Sequence, residues 1–143
     1  MYKNIVVALD GSAHSNKALD SALELGSTFG AALHLVHVSE LHPLVLGSAS
    51  VMSMLPQDEL EKRGTAVLEP AAARATGKGC AVETYNIIGE STAAQGVLDT
   101  AAEVEADLIV VGSLGHSNLS GLLVGSVSQR ICHLATCPCL VVR

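Results

Sequence analysis

A chain of 143 residues, 49% apolar, 15% charged and 2% aromatic, has the length of one domain and can bury roughly 70% of the surface its unfolded form exposes. Disordered chains are poor in apolar residues, so disorder is excluded; with Tyr2, Phe29 and Tyr85 as the only aromatic residues, the core must come from Ala, Val, Leu and Ile. A net charge of −6, with neither a basic stripe nor an aromatic platform, argues against nucleic-acid binding.

The first predicted strand, Asn4–Leu9, is too short for the apolar region of a signal peptide, and no small-residue cleavage site follows it. A helix follows in which Ala18, Ala22, Leu25 and Phe29 fall on one face. The second strand is Ala32–Val38. Next comes Leu41–Gln57, uncharged but interrupted by Pro43, Gly47 and Pro56, which cannot make the roughly 20-residue apolar helix of a bilayer crossing. A loop of that length is expected to serve as a lid or partner-docking surface; the alternative is a short amphipathic helix packed on the same domain.

A second helix is predicted over Gln57–Thr76, with a kink or break at Gly64 and Pro70. The strand Ala81–Ile88 alternates in polarity and carries Glu83, which places it at a sheet edge. The third helix covers Ser91–Glu105, with Ala94, Val97, Leu98 and Ala101 inward. After the strand Leu108–Val111 comes a fourth helix, Ser126–Ala135, with Val127, Ile131 and Leu134 on one side, and a last strand, Leu140–Arg143. No internal repeat or linker divides the chain, so residues 1–143 are read as a single domain in the order β-α-β-α-β-α-β-α-β. The absence of leader and membrane segments makes the expected compartment the cytoplasm.

That order predicts an open parallel sheet with helices on both faces. Ligands of such sheets sit beyond the carboxyl ends of the strands, where strand order reverses. If the first three strands wind one way and the last two the other, Asp10-Gly11-Ser12 and Gly112-Ser113-Leu114-Gly115 face each other across a crevice.

The chemistry of these residues suits a phosphate. Gly112-Ser113-Leu114-Gly115, nine further residues and Gly125-Ser126 open the last helix. Glycines let backbone approach an anion closely, and a helix beginning Gly-Ser presents unpaired N–H groups and the positive end of its dipole. The hydroxyls of Ser113, Ser126 and Ser128 add donors; alternatively, the glycines merely permit a tight turn. Asp10 can accept hydrogen bonds from ribose hydroxyls or help hold a divalent cation; its bland alternative is to cap the first helix. No Walker A lysine and no Gly-x-Gly-x-x-Gly fingerprint occurs in the first turn.

The Gly-x-x-Gly, nine residues, Gly-Ser spacing resembles the ATP-binding signature of the universal stress protein family. So do Ile5-Val6-Val7-Ala8-Leu9-Asp10-Gly11-Ser12 and Cys137-Pro138-Cys139-Leu140-Val141-Val142-Arg143. The resemblance implies a Rossmann-like five-stranded sheet ordered 3-2-1-4-5, a homodimer paired through the last strand, and ATP, AMP or another adenine nucleotide in the crevice, with Mg2+ or Mn2+ on the phosphates. Transferred to this chain, Asp10 meets ribose or phosphates beside Ala8, Gly11 and Ser12, while Val38 lines the adenine pocket. Gly112, Ser113, Gly115, Gly125, Ser126 and Val127 form the phosphate loop. His116 replaces a common Arg or Lys, and Asn118 stands where glycine is common. Both changes are expected either to weaken ATP binding or to shift preference toward a nucleotide with fewer phosphates, and His116 predicts affinity rising as pH falls toward 6.

Cys132, His133, Cys137 and Cys139 offer ligands for zinc, but their spacing is poor, and buried reduced thiols are the expectation, with Cys132 packed beside Ile131 and Leu134. His34 and His37 should lie on opposite faces of their strand, and His14 and His42 should be loop residues. No Gly-x-Ser-x-Gly elbow supports a hydrolase. Two functions follow: a nucleotide-binding stress-response regulator, at most a slow ATPase, acting through an unidentified protein partner; or a nucleotide-independent interaction module using the 41–57 surface.

Overall fold

Short β-branched runs separated by Ala/Leu-rich stretches produce, in chain order, β1 (Asn4–Ala8), α1 (Ala13–Phe29), β2 (Ala32–Glu40), β3 (Leu44–Leu46), β4 (Ala49–Val51), α2 (Gln57–Gly77), β5 (Val82–Gly89), α3 (Ala93–Glu103), β6 (Leu108–Gly112), α4 (Ser126–Leu134) and β7 (Cys139–Val142). The structure, a computed structural model, describes residues 1–41, 44–46, 49–51, 56–89, 91–115 and 124–143, with backbone alone for 44–46 and 49–51.

Five strands form one parallel sheet in the order β5-β2-β1-β6-β7, which is the 3-2-1-4-5 winding. Ile5 pairs with Leu33 on one side and Leu108 on the other. The outermost strands are β5, where Glu83 is exposed, and β7.

Alternation along the central strands sends consecutive side chains to opposite faces. Ile5, Val7, Leu33, Leu35, Leu108 and Val110 meet Leu19, Leu23, Leu68 and Ala71 from α1 and α2. On the other face Val6, Val36, Ile109 and Val111 meet Ala94, Val97, Ala101 and Ile131 from α3 and α4. Central strands covered on both sides have no polar face, hence their uninterrupted apolar runs.

Several expectations need correction. The buried face of α1 is Ser15, Ala18, Leu19, Ala22, Leu23 and Gly26; Phe29 is 40% exposed and meets the ring of Tyr2 edge-on, with centroids 5.5 Å apart. The helix ends one residue later at Gly30, in the left-handed conformation with φ 68°, which glycine adopts without penalty. Helix α2 runs unbroken through both Gly64 and Pro70. Pro70 and Ala66, the residue whose carbonyl loses its donor, are both exposed, so water can replace that bond. Meanwhile Leu60, Leu68, Ala71 and Ala75 anchor the inner face. Gly64 serves close approach instead, for a Cβ there would overlap the side-chain amide of Asn86 on β5.

In α4 the buried residues are Ser128 and Ile131, while Val127 and Leu134 are 38% and 47% exposed. Cys132 is exposed rather than packed inside, Cys80 is buried, Cys137 and Cys139 are half-buried, and all four are free. His14 belongs to the first turn of α1, not to a loop. Within 41–57, β3 and β4 form an antiparallel hairpin, Leu44 opposite Val51, in place of the expected loop or helix. Residues 42–43, His42 among them, 47–48 and 52–55 lie outside the described residues. Among the described residues no helix is long and apolar enough to cross a membrane.

Candidate functional site

The crevice expected at the switch point is a cavity of about 470 Å³, within the usual range for small-molecule sites. Ala8, Leu9 and Asp10 at the end of β1 and Val36, Val38 and Glu40 of β2 form one side. Val111, Gly112, Leu114 and Gly115 close the other, with the first turn of α4 (Gly125 to Ser128) above. Ala93 and Val97 of α3 and Ser15 of α1 complete the lining. The ends of adjacent parallel strands converge here because β1 and β6 are direct neighbours.

Eight sequence-predicted site residues line this cavity: Ala8, Asp10, Val38, Gly112, Gly115, Gly125, Ser126 and Val127. Gly11, Ser12 and Ser113 do not. Gly11, at φ 81°, lines a different cavity on the α1–α2 side. Ser12 is buried and caps α1, its side chain accepting from the Ser15 N–H at 3.2 Å. The cap considered for Asp10 therefore belongs to Ser12. Asp10 instead accepts from the Ser12 N–H through Oδ1 at 2.9 Å and lies against Gly115, where a Cβ would come within 2.8 Å of Oδ2.

Ser113 is 1% exposed and acts as a junction beneath the loop. Its N–H donates to the Val142 carbonyl at 2.7 Å, and its carbonyl accepts from the Gly125 N–H at 2.5 Å and from Ser128 Oγ at 3.1 Å. Its Oγ and His14 Nδ1 share a hydrogen bond of 3.1 Å. Gly112 is equally constrained, since a Cβ would lie 2.7 Å from the carbonyl carbon of His14. His116 and Asn118 lie outside the described residues.

Among the described lining residues the charge is one-sided. Asp10 and Glu40 contribute carboxylates, and no Lys or Arg is among the described lining residues. Glu40, which the sequence reading passed over, accepts a hydrogen bond from the Ala93 N–H at the start of α3; an acid closing an apolar strand at the carboxyl edge was the available signal. The N-cap of α4, Gly125, makes no side-chain capping bond, so the first-turn N–H groups have no side-chain cap where Gly125 to Ser128 line the cavity. Among the described residues no group of three or more His, Cys, Asp or Glu is placed to hold a metal ion.

The two histidines of β2 diverge as alternation requires. His37 Nδ1 bonds the Leu9 carbonyl at 2.8 Å. His34, buried, lies 3.2 Å from the Tyr85 hydroxyl and 3.3 Å from Asn4 Oδ1. Burial pulls its pKa down, partly offset by the Glu83 carboxylate.

A sequence model of the universal stress protein family matches residues 1–143. The chain is 37% identical over 150 residues to universal stress protein YxiE of Bacillus subtilis, covering 100% of both chains. A universal stress protein from Burkholderia pseudomallei superposes with a TM-score of 0.76 at 33% identity, covering 99% of this chain and 96% of its own. Another, solved in complex with cAMP, has a TM-score of 0.71 at 26% identity, covering 99% and 97%.

Proposed function

The chain belongs to the universal stress protein family, and from that premise we propose that it is a single-domain cytoplasmic regulator whose cavity binds an adenine nucleotide, nucleotide state setting conformation or partner binding. The observation that carries the reading is the cavity itself. Uncapped N–H groups of α4, Asp10 and the apolar wall of Val36, Val38 and Val97 converge on one space of about 470 Å³. The wall suits a base, Asp10 a ribose and the helix terminus a phosphate. The relative in complex with cAMP supports the same ligand class.

ATP is the proposed ligand, with Mg2+ or Mn2+. The described lining residues include two carboxylates, Asp10 and Glu40, and no Lys or Arg to meet the phosphates of ATP. A divalent cation held by one carboxylate plus phosphate oxygens is the usual solution for magnesium. ATP should accordingly need the cation, whereas AMP or cAMP should not. His116 would add positive charge below neutral pH. Hydrolysis would be slow, because Asp10 and Glu40 both accept bonds from backbone N–H groups and neither is a positioned base. The outer edge of β7, beyond its pairing with β6, is the proposed homodimer seam, since an unpaired strand edge is a template for a second copy.

Thermal unfolding of nucleotide-stripped protein tests the reading. Ligand at about a hundredfold its dissociation constant should stabilise by about 2.7 kcal/mol, a shift of roughly 5 to 10 °C at this size. Gly125→Asp, which sets a carboxylate at the mouth of α4, should abolish the shift. No shift with ATP, AMP or cAMP would refute nucleotide binding and leave the 41–57 surface as the functional element.

A further inference from the structure

Three of the four cysteines lie in the last helix and strand, and the way α4 lies on the sheet brings two of them together. Ser128, near the start of α4, donates to the Ser113 carbonyl, and the Ser113 N–H donates to the Val142 carbonyl at the end of β7. From that anchor α4 runs back along β7, since a short turn after Leu134 leads into Cys139. Cys132 comes one turn after Ser128, about 6 Å along the helix, which carries it from the level of Val142 toward that of Cys139. Val127 lines the nucleotide-sized cavity with Ala93 and Val97 of α3. Cys132 stands about 140° further round the helix, on the flank away from α3 and over β7.

Cys139 meets this flank from the strand below. Alternation along β7 turns Cys139 and Val141 to the face that α4 covers, against the cluster containing Ile131. The Cys139 thiol donates to the Cys137 carbonyl at 3.7 Å. Burial first, then the thiols of Cys132 and Cys137, hold Cys139 protonated. Cys137, two residues earlier on the same face, has Asp107 rather than Cys132 as its charged neighbour. Access separates the pair: Cys132 is exposed and Cys139 half-buried. We propose that Cys132 and Cys139 form a dithiol that reduces a hydroperoxide, Cys132 being oxidised first and Cys139 resolving it. The Cys132 sulfur attacks one peroxide oxygen and the O–O bond breaks. Cys132 becomes a sulfenic acid, and the other oxygen takes the thiol proton and leaves as water or an alcohol. The Cys139 sulfur then attacks the sulfenic sulfur; the S–S bond forms, and the hydroxyl leaves with the Cys139 proton as water. Two thiols lose two electrons and one peroxide gains them. The disulfide ties the last turn of α4 to β7, and its formation needs no nucleotide.

The full chain, reduced and nucleotide-free, is treated with hydrogen peroxide and its thiols are counted in denaturant. Two of the four free cysteines should disappear, in a monomer lighter by two hydrogens, and dithiothreitol should restore both. Cys137→Ser should still form the bond, and Cys132→Ser, at an exposed position, should not. Cys139→Ser should stop at a sulfenic acid on Cys132 that dimedone traps; Cys139→Ala repeats the measurement should serine be poorly tolerated at that half-buried position. All four thiols surviving peroxide would overturn the proposal. So would a bond that forms in the Cys132 or Cys139 variants, fails in Cys137→Ser, or links two chains.

Discussion

The Oγ of Ser113 and the Nδ1 of His14 lie 3.1 Å apart, joining the loop after β6 to the first turn of α1 across the sheet's central strand pair. With its backbone bonds to Val142 and Gly125, Ser113 holds β7, α4 and α1 in fixed relation around the cavity mouth. Sequence position alone made this serine look like a phosphate ligand; its burial makes it a brace. Ser113→Ala should cost about 1 kcal/mol, the worth of one hydrogen bond, lowering Tm by about 2–4 °C. The nucleotide-induced shift should survive, and its loss would return Ser113 to the ligand set.

The neighbouring glycine is held by backbone, not side chain. A Cβ at Gly112 meets the carbonyl carbon of His14 at 2.7 Å, whereas at Gly125 the nearest atom, the Ser113 carbonyl oxygen, is 3.3 Å away. Rigid main chain cannot step aside cheaply, so Gly112→Ala should destabilise by about 1–3 kcal/mol. Gly125→Ala should cost clearly less. Paired denaturant titrations check the ranking, and equal losses would contradict it.

Close approach of α2 to the edge strand makes a second test. Asn86 Nδ2 donates to the Glu61 carbonyl at 3.1 Å, occupying the space a side chain at Gly64 would need. Gly64→Ala should expel the amide and lose that bond, at a net cost of about 1 kcal/mol or more. In Asn86→Ala the space is vacant, so the double mutant should lose less than the sum of the single changes. Strict additivity in urea would mean the two residues do not meet.

His34 makes folding stability fall in acid. Its pKa is lowered in the folded protein, by burial first and against the opposing pull of Glu83. Below the unfolded value of 6.5 the unfolded chain therefore binds more protons than the native one, and stability declines as pH drops through that window. Unfolding free energies compared between about pH 7.5 and about pH 5 should show a smaller difference in His34→Gln than in the parent chain. An unchanged difference would assign the acid loss elsewhere. The adjoining Tyr85, pushed up to about 12 by burial first and by its hydrogen bond to Glu83, contributes nothing in this window.

Thiol chemistry should separate the C-terminal cysteines. Cys139 is half-buried with its pKa raised to about 11, by burial first and then by the thiols of Cys132 and Cys137. Because the thiolate is the nucleophile, Cys139 should react slowly with a disulfide reagent at mildly alkaline pH. Exposed Cys132 should react in the first phase, which Cys132→Ser should remove. A first phase that persists in that variant would contradict the assignment.

What the sequence by itself determined is the order of the five sheet strands and four helices, without the β3–β4 hairpin, and the pair of segments that meet at the switch point. Those follow from composition and period: apolar runs such as Ile5–Leu9 and Leu108–Val111 have no polar face to expose, and a parallel sheet supplies cover on both sides. Gly112 was legible because its backbone approaches that of His14 too closely for a Cβ.

Tertiary structure alone decided which face of each element turns inward. Helical periodicity fits α1 with Phe29 inward nearly as well as outward, and only the sheet's position selected Leu19 and Leu23. Pro70 could break α2 or sit in it, and burial of Leu68, Ala71 and Ala75 outweighed the one bond lost. Neighbouring residues with similar chemistry were likewise separated by packing: Asp10 turned to the cavity, Ser12 to the helix cap and Ser113 to His14. These choices depend on contacts between residues far apart in the chain, such as the 99 positions between His14 and Ser113, which no local pattern encodes.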